Sequence, residues 1–196
     1  MRSRRRTVRR YRSGLERVSG RPAVETDERA EVADPDVGVG ESVPSAAYDR
    51  AVRREFSAGG VVVRRLRRGW HVAAIRPGGK TNVWALPKGL VAPGEDPAST
   101  ALREVAEETG VVGRLVTKLG DVRYVYTWRG ERVFKVVSFY LVRYARGRLG
   151  DLPAALAHEI AEARWLPLAE APSALTYKGE KEMAEKALEL LARNEL

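Results

Sequence analysis

One segment of the sequence, Asp96 to Gly110, specifies a helix at both ends. Asp96 suits the residue that accepts hydrogen bonds from the first free N–H groups, Pro97 suits the first helical position, and Gly110 suits the left-handed residue that stops the helix. The spacing predicts a helix over 97–109. At about 100° per residue, Ala98, Ala101, Leu102, Val105 and Ala106 share one side. Arg103, Glu104, Glu107 and Glu108 form a compact stripe on the other. The apolar side must lie on a core, so the chain needs a second layer to receive it.

Strands supply that layer. Gly59-Gly60-Val61-Val62-Val63 followed by Arg64-Arg65 reads as a buried strand, Arg67-Arg68-Gly69 as its turn, and Trp70 to Ile75 as the return. A loop with Pro77, Gly78 and Gly79 leads to Trp84-Ala85-Leu86-Pro87. Further strands are expected over Leu115–Tyr126 and Val133–Val142, the second alternating through Phe134, Val136, Ser138 and Tyr140, with a short one at Ala163–Pro167. Residues 178–194 predict a last helix, with Met183, Ala184, Ala187, Leu188 and Leu191 in an apolar stripe. Strands with interspersed helices imply an α/β sandwich.

Composition divides the chain. Residues 1–21 carry nine arginines against the single acid Glu16, a net +8, while residues 22–54 carry four arginines and eight acids, a net −4. The chain as a whole is +9, which leaves +5 for residues 55–196. Residues 1–54 lack apolar periodicity, and 22–47 are rich in Pro, Gly, Glu, Asp, Ala and Ser, so 1–54 is expected to be a largely disordered extension and 55–196 the folded domain, with order beginning near Phe56. The arginine arm has the charge to touch RNA or an anionic surface weakly, and its acid-poor composition also matches a transit peptide; a solvated tail is the plain alternative. There is no cysteine, which excludes disulfides, thiolate metal sites and a cysteine nucleophile, and suits a cytoplasmic protein. With His71 and His158 alone, a histidine-rich metal site is not expected, and no apolar run reaches the length that spans a bilayer. Nothing in the sequence sets an oligomeric state.

The acidic stripe needs a reason. Glu104 stands at i,i+4 to Glu108 and at i,i+3 to Glu107, spacings at which like charges each cost a few tenths of a kcal/mol. Crowded carboxylates become useful when they hold a hard divalent cation, which prefers oxygen ligands. Lys88 and Arg103 lie nearby in sequence to complement anionic groups, a combination that suits a diphosphate. A solvated acidic face is the alternative, and the wider spacing decides between them. Gly89, five residues, Glu95, seven residues, and then Arg103-Glu104-Val105-Ala106-Glu107-Glu108-Thr109-Gly110-Val111 resembles the Nudix box at every fixed position.

The resemblance covers about residues 56–194 and implies an α/β/α sandwich with a mixed central sheet. It implies hydrolysis of a nucleoside diphosphate linked to another moiety, by water attack at phosphorus with Mg2+ or Mn2+. By the motif, Glu107 and Glu108 match the principal metal ligands and Glu104 a residue that binds metal or acts as base. Arg103 matches their orienting partner, Glu95 the carboxylate that pairs with Arg103, and Gly89 a backbone carbonyl ligand or a point of tight approach. Some relatives place the base on a later loop, where Glu159 and Glu162 are candidates.

The segments Trp84–Gly89, Lys135–Tyr140, Trp165–Leu168 and Leu175–Tyr177, with Glu159, resemble the branch that hydrolyses dinucleoside polyphosphates such as diadenosine tetraphosphate. The same features occur in relatives that hydrolyse oxidised nucleoside triphosphates, and a non-catalytic Nudix-fold regulator is the reading of another class. Tyr124, Tyr126 and Trp128 are candidates for stacking on a base, with Tyr177 next in line. Lys88, Lys135, Lys80 and Lys178 are candidates for phosphate.

Overall fold

A computed structural model describes residues 52–154 and 156–193. The extension expected over 1–54 therefore lies outside the described residues as far as Ala51. The fold starts slightly before the expected boundary: β1 (Arg53–Leu66) pairs with β5 (Glu131–Gly147) from Arg53↔Val133 onward, so ladder pairing draws Arg53 and Arg54 into the sheet. Between these strands come β2 (Gly69–Pro77), β3 (Lys88–Leu90), α1 (Pro97–Thr109) and β4 (Val111–Trp128). After them come β6 (Ile160–Pro167), α2 (Ala171–Ala174) and α3 (Lys178–Ala192).

The six strands form one mixed sheet in the order β4-β5-β1-β2-β6, with β3 also paired to β1. The β1–β5 pair is parallel and the other pairs are antiparallel. One edge of β1 is shared. Val63 to Leu66 pair with β2, whereas Ser57 to Gly59 pair with β3, so β2 and β3 part beside the middle of β1. That parting brings the Lys88–Leu90 segment to one end of the sheet, close to where α1 crosses it.

The two faces follow the period of two along a strand. Val62, Ala73, Val142 and Val111 meet Val105 of α1 on one face. Val61, Val63, Val137, Phe139 and Leu141 meet Met183, Ala184, Ala187 and Leu191 of α3 on the other. This is the expected α/β/α sandwich. Helix α1 rests where β1 has no side chain, since a Cβ on Gly60 would come 2.5 Å from Val105 Cγ2. Its ends are those read from the sequence: the Asp96 carboxylate accepts from the Ala98 and Ser99 N–H groups at 2.9 and 3.1 Å, and Gly110 caps it at φ 75°.

The β4–β5 hairpin is longer than expected, 18 and 17 residues against predicted spans that stop at Tyr126 and Val142. Its register shifts between Val112 and Gly113, Leu115 and Thr117, and Lys118 and Gly120, and each shift breaks the alternation by which a strand is recognised. Helix α3 ends at Ala192, so the last residue predicted for it, Asn194, lies outside the described residues. Among the described residues no helix is long and apolar enough to cross a membrane.

Candidate active site

The acidic stripe of α1 faces β3, and the contact is close. A Cβ on Gly89 would lie 2.2 Å from the Glu104 carboxyl carbon, so the carboxylate sits on the bare backbone of Gly89. Of the two expectations for Gly89, the structure shows the tight approach. Glu104 is 9% exposed, and this burial raises its carboxyl above the usual range; Glu107 and Glu95 push the same way while Arg103 pulls against them.

Arg103 organises the rest of the stripe. Its Nη1 donates to Glu104 Oε1 at 2.5 Å and to Glu107 Oε2 at 2.9 Å. Its Nε and Nη2 take the two oxygens of Glu95, each at 2.9 Å, and Nη2 also donates to the Leu90 carbonyl at 3.2 Å. The fork-on-carboxylate geometry of the Glu95 contact is the strong form of this bond. It holds the Glu95 carboxyl down at about 2 and, with Glu104 and Glu107, raises Arg103 further above its already high range. One guanidinium thus ties the loop carboxylate, two helix glutamates and the end of β3 together.

Glu108 points elsewhere. Its Oε2 accepts the Lys88 backbone N–H at 2.9 Å, and loss of solvent pushes its carboxyl up to about 8 against the pull of the Lys88 ammonium. Lys88, expected as a phosphate contact, pairs through Nζ with Glu180 at 2.9 Å and stands 5.7 Å over the Tyr177 ring. Burial would lower the Lys88 ammonium, yet Glu180 and Glu108 outweigh it and hold it above the ordinary lysine range. Glu180 is 3% exposed and also accepts the Leu86 N–H at 2.7 Å. Sequence reasoning missed it, since it reads as one more acid in the first turn of α3.

On the α3 face, at the same end of the sheet, stand the aromatic candidates. Tyr124 and Tyr126 have ring centroids 6.1 Å apart, and Tyr124 packs on the core while Tyr126 does not. The Tyr126 hydroxyl donates to Glu55 Oε2 at 2.8 Å, with Lys135 Nζ 3.6 Å from the same oxygen and 5.8 Å from the Tyr126 ring. Glu55, at the start of the predicted domain, was also missed. Beneath this group Ser57 is 2% exposed with its hydroxyl unpaired among the described residues. Trp128 lies near the hairpin tip, where Arg129 stacks at 5.7 Å.

The later candidates are less closely drawn in. Glu159 is half-buried before β6, with His158 3.9 Å away, and its carbonyl accepts the Gly78 N–H at 2.7 Å. Glu162 is taken up by Arg164 at 2.5 Å and Arg76 at 3.3 Å, and these arginines lower its carboxyl. A carboxylate so committed to guanidinium groups is a poor base, which favours Glu159 of the pair. Lys80 donates its backbone N–H to Pro77 O, and Lys178 is exposed at the start of α3.

Three hard carboxylate donors on one helix face, one of them seated on a glycine backbone that a Cβ would fill, make a donor set that fits Mg2+ or Mn2+. Among the described residues no three acids or histidines converge on a point that encloses a cation. Arg103 draws Glu104 and Glu107 to itself, and Lys88 N–H draws Glu108, so the arginine stands as the positive partner of the stripe. Arg103 holds one oxygen of Glu104 and one of Glu107, so the other oxygen of each is the donor a cation would use.

A family model described as NUDIX domain matches residues 47–188. Over 109 residues the chain is 44% identical to “Putative mutator protein MutT4” of Mycobacterium tuberculosis (strain CDC 1551 / Oshkosh), covering 56% of this chain and 42% of that one, so it spans less than half of that relative. It is 32% identical over 108 residues to the asymmetrical bis(5'-nucleosyl)-tetraphosphatase of Mus musculus, covering 55% of this chain and 71% of the mouse protein. The fold is similar to that of an Ap4A hydrolase from C. elegans in a binary complex, with TM-score 0.57, 25% identity, and coverage of 71% of this chain and 98% of the other. With the whole of the helix and its glycine seat inside the matched residues, the chain belongs to the NUDIX domain family.

Proposed function

We propose that the protein is a Mg2+-dependent pyrophosphohydrolase, with Mn2+ as substitute, that cleaves a P–O–P linkage in a nucleoside diphosphate derivative. The substrate favoured is a dinucleoside polyphosphate such as diadenosine tetraphosphate, split asymmetrically to ATP and AMP. The observation that carries the reading is the seat of Glu104 on Gly89 with Arg103 binding Glu104, Glu107 and Glu95 at once. Membership of the family supports the reaction class. The names of the mouse relative and of the C. elegans structure support the dinucleotide.

In this reading Glu104, Glu107, Glu108 and the Gly89 carbonyl hold the metal, and Arg103 orients the glutamates. Bound there, the ion supplies charge neutralisation of the phosphoryl oxygens and a water of lowered pKa. Glu104 or Glu159 takes the proton of the attacking water. Lys88 and Lys135 meet phosphate oxygens, and Tyr126, backed by the packed ring of Tyr124, holds the nucleoside, with Tyr177 as the alternative ring. In the same reading the cysteine-free composition suits a reducing cytoplasm, and the arginine arm supplies weak RNA or anionic-surface contact.

A second reading is favoured by the name of the mycobacterial relative: release of pyrophosphate from an oxidised nucleoside triphosphate. Both are tested by one panel of dinucleoside polyphosphates and normal or oxidised triphosphates, run with Mg2+ and with chelator, with products resolved. ATP and AMP from the dinucleotide support the first reading, and pyrophosphate from the triphosphate supports the second. Binding without turnover of any member would leave a nucleotide-binding regulator.

A further inference from the structure

The acidic residues of the long strands all lie towards the candidate site. Glu55 is the only acid of β1, Asp121 the only one of β4 and Glu131 the only one of β5, while β2 has none. The other end of the sheet, where β1 turns into β2, β4 begins and β5 ends, is mainly basic, with Asp151 an exposed acid beside the Arg148 turn. Arg64, Arg65, Arg67 and Arg68 surround the turn, Arg114 pairs across the ladder with Arg143, and Arg146 and Arg148 follow. At about 3.3 Å per residue, Arg65 stands roughly 20 Å along β1 from Ala58, the partner of Gly89. An exposed acid, Glu170, lies two residues beyond Leu168, whose N–H bonds the Trp70 carbonyl at 2.9 Å.

Aromatic rings, not carboxylates, hold three of these guanidinium groups. Arg64 lies 4.4 Å over Tyr144, which meets Trp165 edge-on at 5.9 Å. Arg65 and Arg143 both reach Trp70, at 5.8 and 5.5 Å, and Trp70 is itself packed on the α3 core. Among the described residues none of the three forms an ion pair. A guanidinium parked on a ring is partly ordered in advance and leaves its N–H edge free, which lowers the entropy cost of binding a phosphate.

We propose that this end of the sheet is a binding surface for the phosphate backbone of a nucleic-acid strand, separate from the nucleotide site and centred on Arg65, Trp70 and Arg143. A chain of phosphates suits a spread of arginines over two faces and a turn better than a single anion does. A membrane would call for apolar side chains to insert. Of the exposed large hydrophobics among the described residues, Val52, Phe56, Leu90 and Val125 lie in the half of the sheet that holds Gly89, and Leu115 alone lies here.

The test uses the full chain, a fluorescent single-stranded RNA of about 20 nucleotides and anisotropy titrations over a range of salt. Losing two phosphate contacts in the R65Q/R143Q variant should flatten the slope of log K against log salt by about 1.4 and weaken binding about 25-fold at 0.1 M salt. R65K/R143K should restore most of the slope, and R123Q/R132Q, with the same net charge at the other end, should leave it parental. Unchanged nucleotide turnover and melting in R65Q/R143Q confirm that the fold is kept. The proposal is overturned if R65Q/R143Q binds as the parent does, or if R123Q/R132Q loses as much. It is also overturned if the parent binds phosphatidylserine vesicles but not RNA.

Discussion

Lys88 and Glu180 form an ion pair of 2.9 Å between β3 and the first turn of α3, and the Lys88 backbone N–H binds Glu108 of α1. One residue therefore ties the Leu86–Gly89 segment to helices on opposite faces of the sheet, with the Leu86 N–H adding a second bond to Glu180. Removing one partner of such a pair leaves the other charge poorly solvated. Glu180→Ala should cost about 3 kcal/mol in urea unfolding, and Lys88→Met with Glu180→Leu should cost less than Glu180→Ala alone. If the double variant is the less stable of the two, the pair contributes more than it costs to bury.

Gly89 has no room for a side chain while Glu104 keeps its place. In Gly89→Ala the methyl group would meet the Glu104 carboxyl carbon at 2.2 Å, and that carboxylate is the movable partner. The variant should fold, with a loss of about 1–2 kcal/mol from overpacking. Its Mg2+-dependent turnover should fall steeply, because Glu104 is turned away from Arg103 and β3. Near-parental turnover at limiting Mg2+, with melting also near parental, would refute the role given to this contact.

How far the sequence reveals the site depends on the distance over which each contact acts. Asp96, Pro97 and Gly110 define α1 through bonds within a few residues, so both ends were readable. The stripe of Arg103, Glu104, Glu107 and Glu108 follows from helical geometry, and the link from Arg103 to Glu95 spans eight residues of one motif. Glu180 was not readable, because its bond to Leu86 crosses 94 residues and two layers. Glu55 was hidden for another reason. It sits among Arg53, Arg54 and a polar stretch, and its partner Tyr126 lies 71 residues on. The start of β4 and the end of β5 were missed where the bulge beside Gly113 interrupts the alternation.

Glu107→Gln and Glu108→Gln remove metal-binding charge in the proposed function while keeping shape. Each should lower turnover at least about 100-fold at limiting Mg2+. Glu108→Gln should cost little stability at neutral pH, since burial already pushes that carboxyl up to about 8 and the neutral form is the one the fold tolerates. Activity assays across Mg2+ concentrations, alongside thermal melting, check both statements. Parental turnover in both variants would remove the metal from this face of α1.

Glu95 has a folded-state carboxyl at about 2, lowered chiefly by its hydrogen bonds to Arg103. Its unfolded value is about 4.3, so folding favours the ionised form. The resulting stability is present in full above about pH 4.5 and fades as pH falls towards 2. Solvent screening limits it to about 1 kcal/mol. Glu95→Gln should therefore be less stable than the parent at pH 7, and the two should converge by about pH 2. A difference that stays constant over that range would mean that the charge on Glu95 contributes nothing.

Tyr126 offers the sharpest test of how the nucleoside is held. Its hydroxyl is bound to Glu55 at 2.8 Å and its ring lies off the core, whereas Tyr124 packs against the α3 cluster. A ring that stacks on a base holds the ground and transition states alike, so losing it raises KM and leaves kcat little changed. For stacking of about 1–3 kcal/mol, Tyr126→Ala should raise KM roughly 5- to 150-fold. Tyr126→Phe should keep most of the affinity, because the ring remains when the bond to Glu55 is lost. Tyr124→Ala should instead destabilise the fold by about 3 kcal/mol, as truncation of a packed aromatic does. Trp128→Ala, near the hairpin tip, should leave both KM and melting close to parental. If Tyr126→Ala is merely unstable, with KM unchanged in the folded fraction, the base is held elsewhere. Tyr177, beneath the Lys88 ammonium at 5.7 Å, is then the ring to remove.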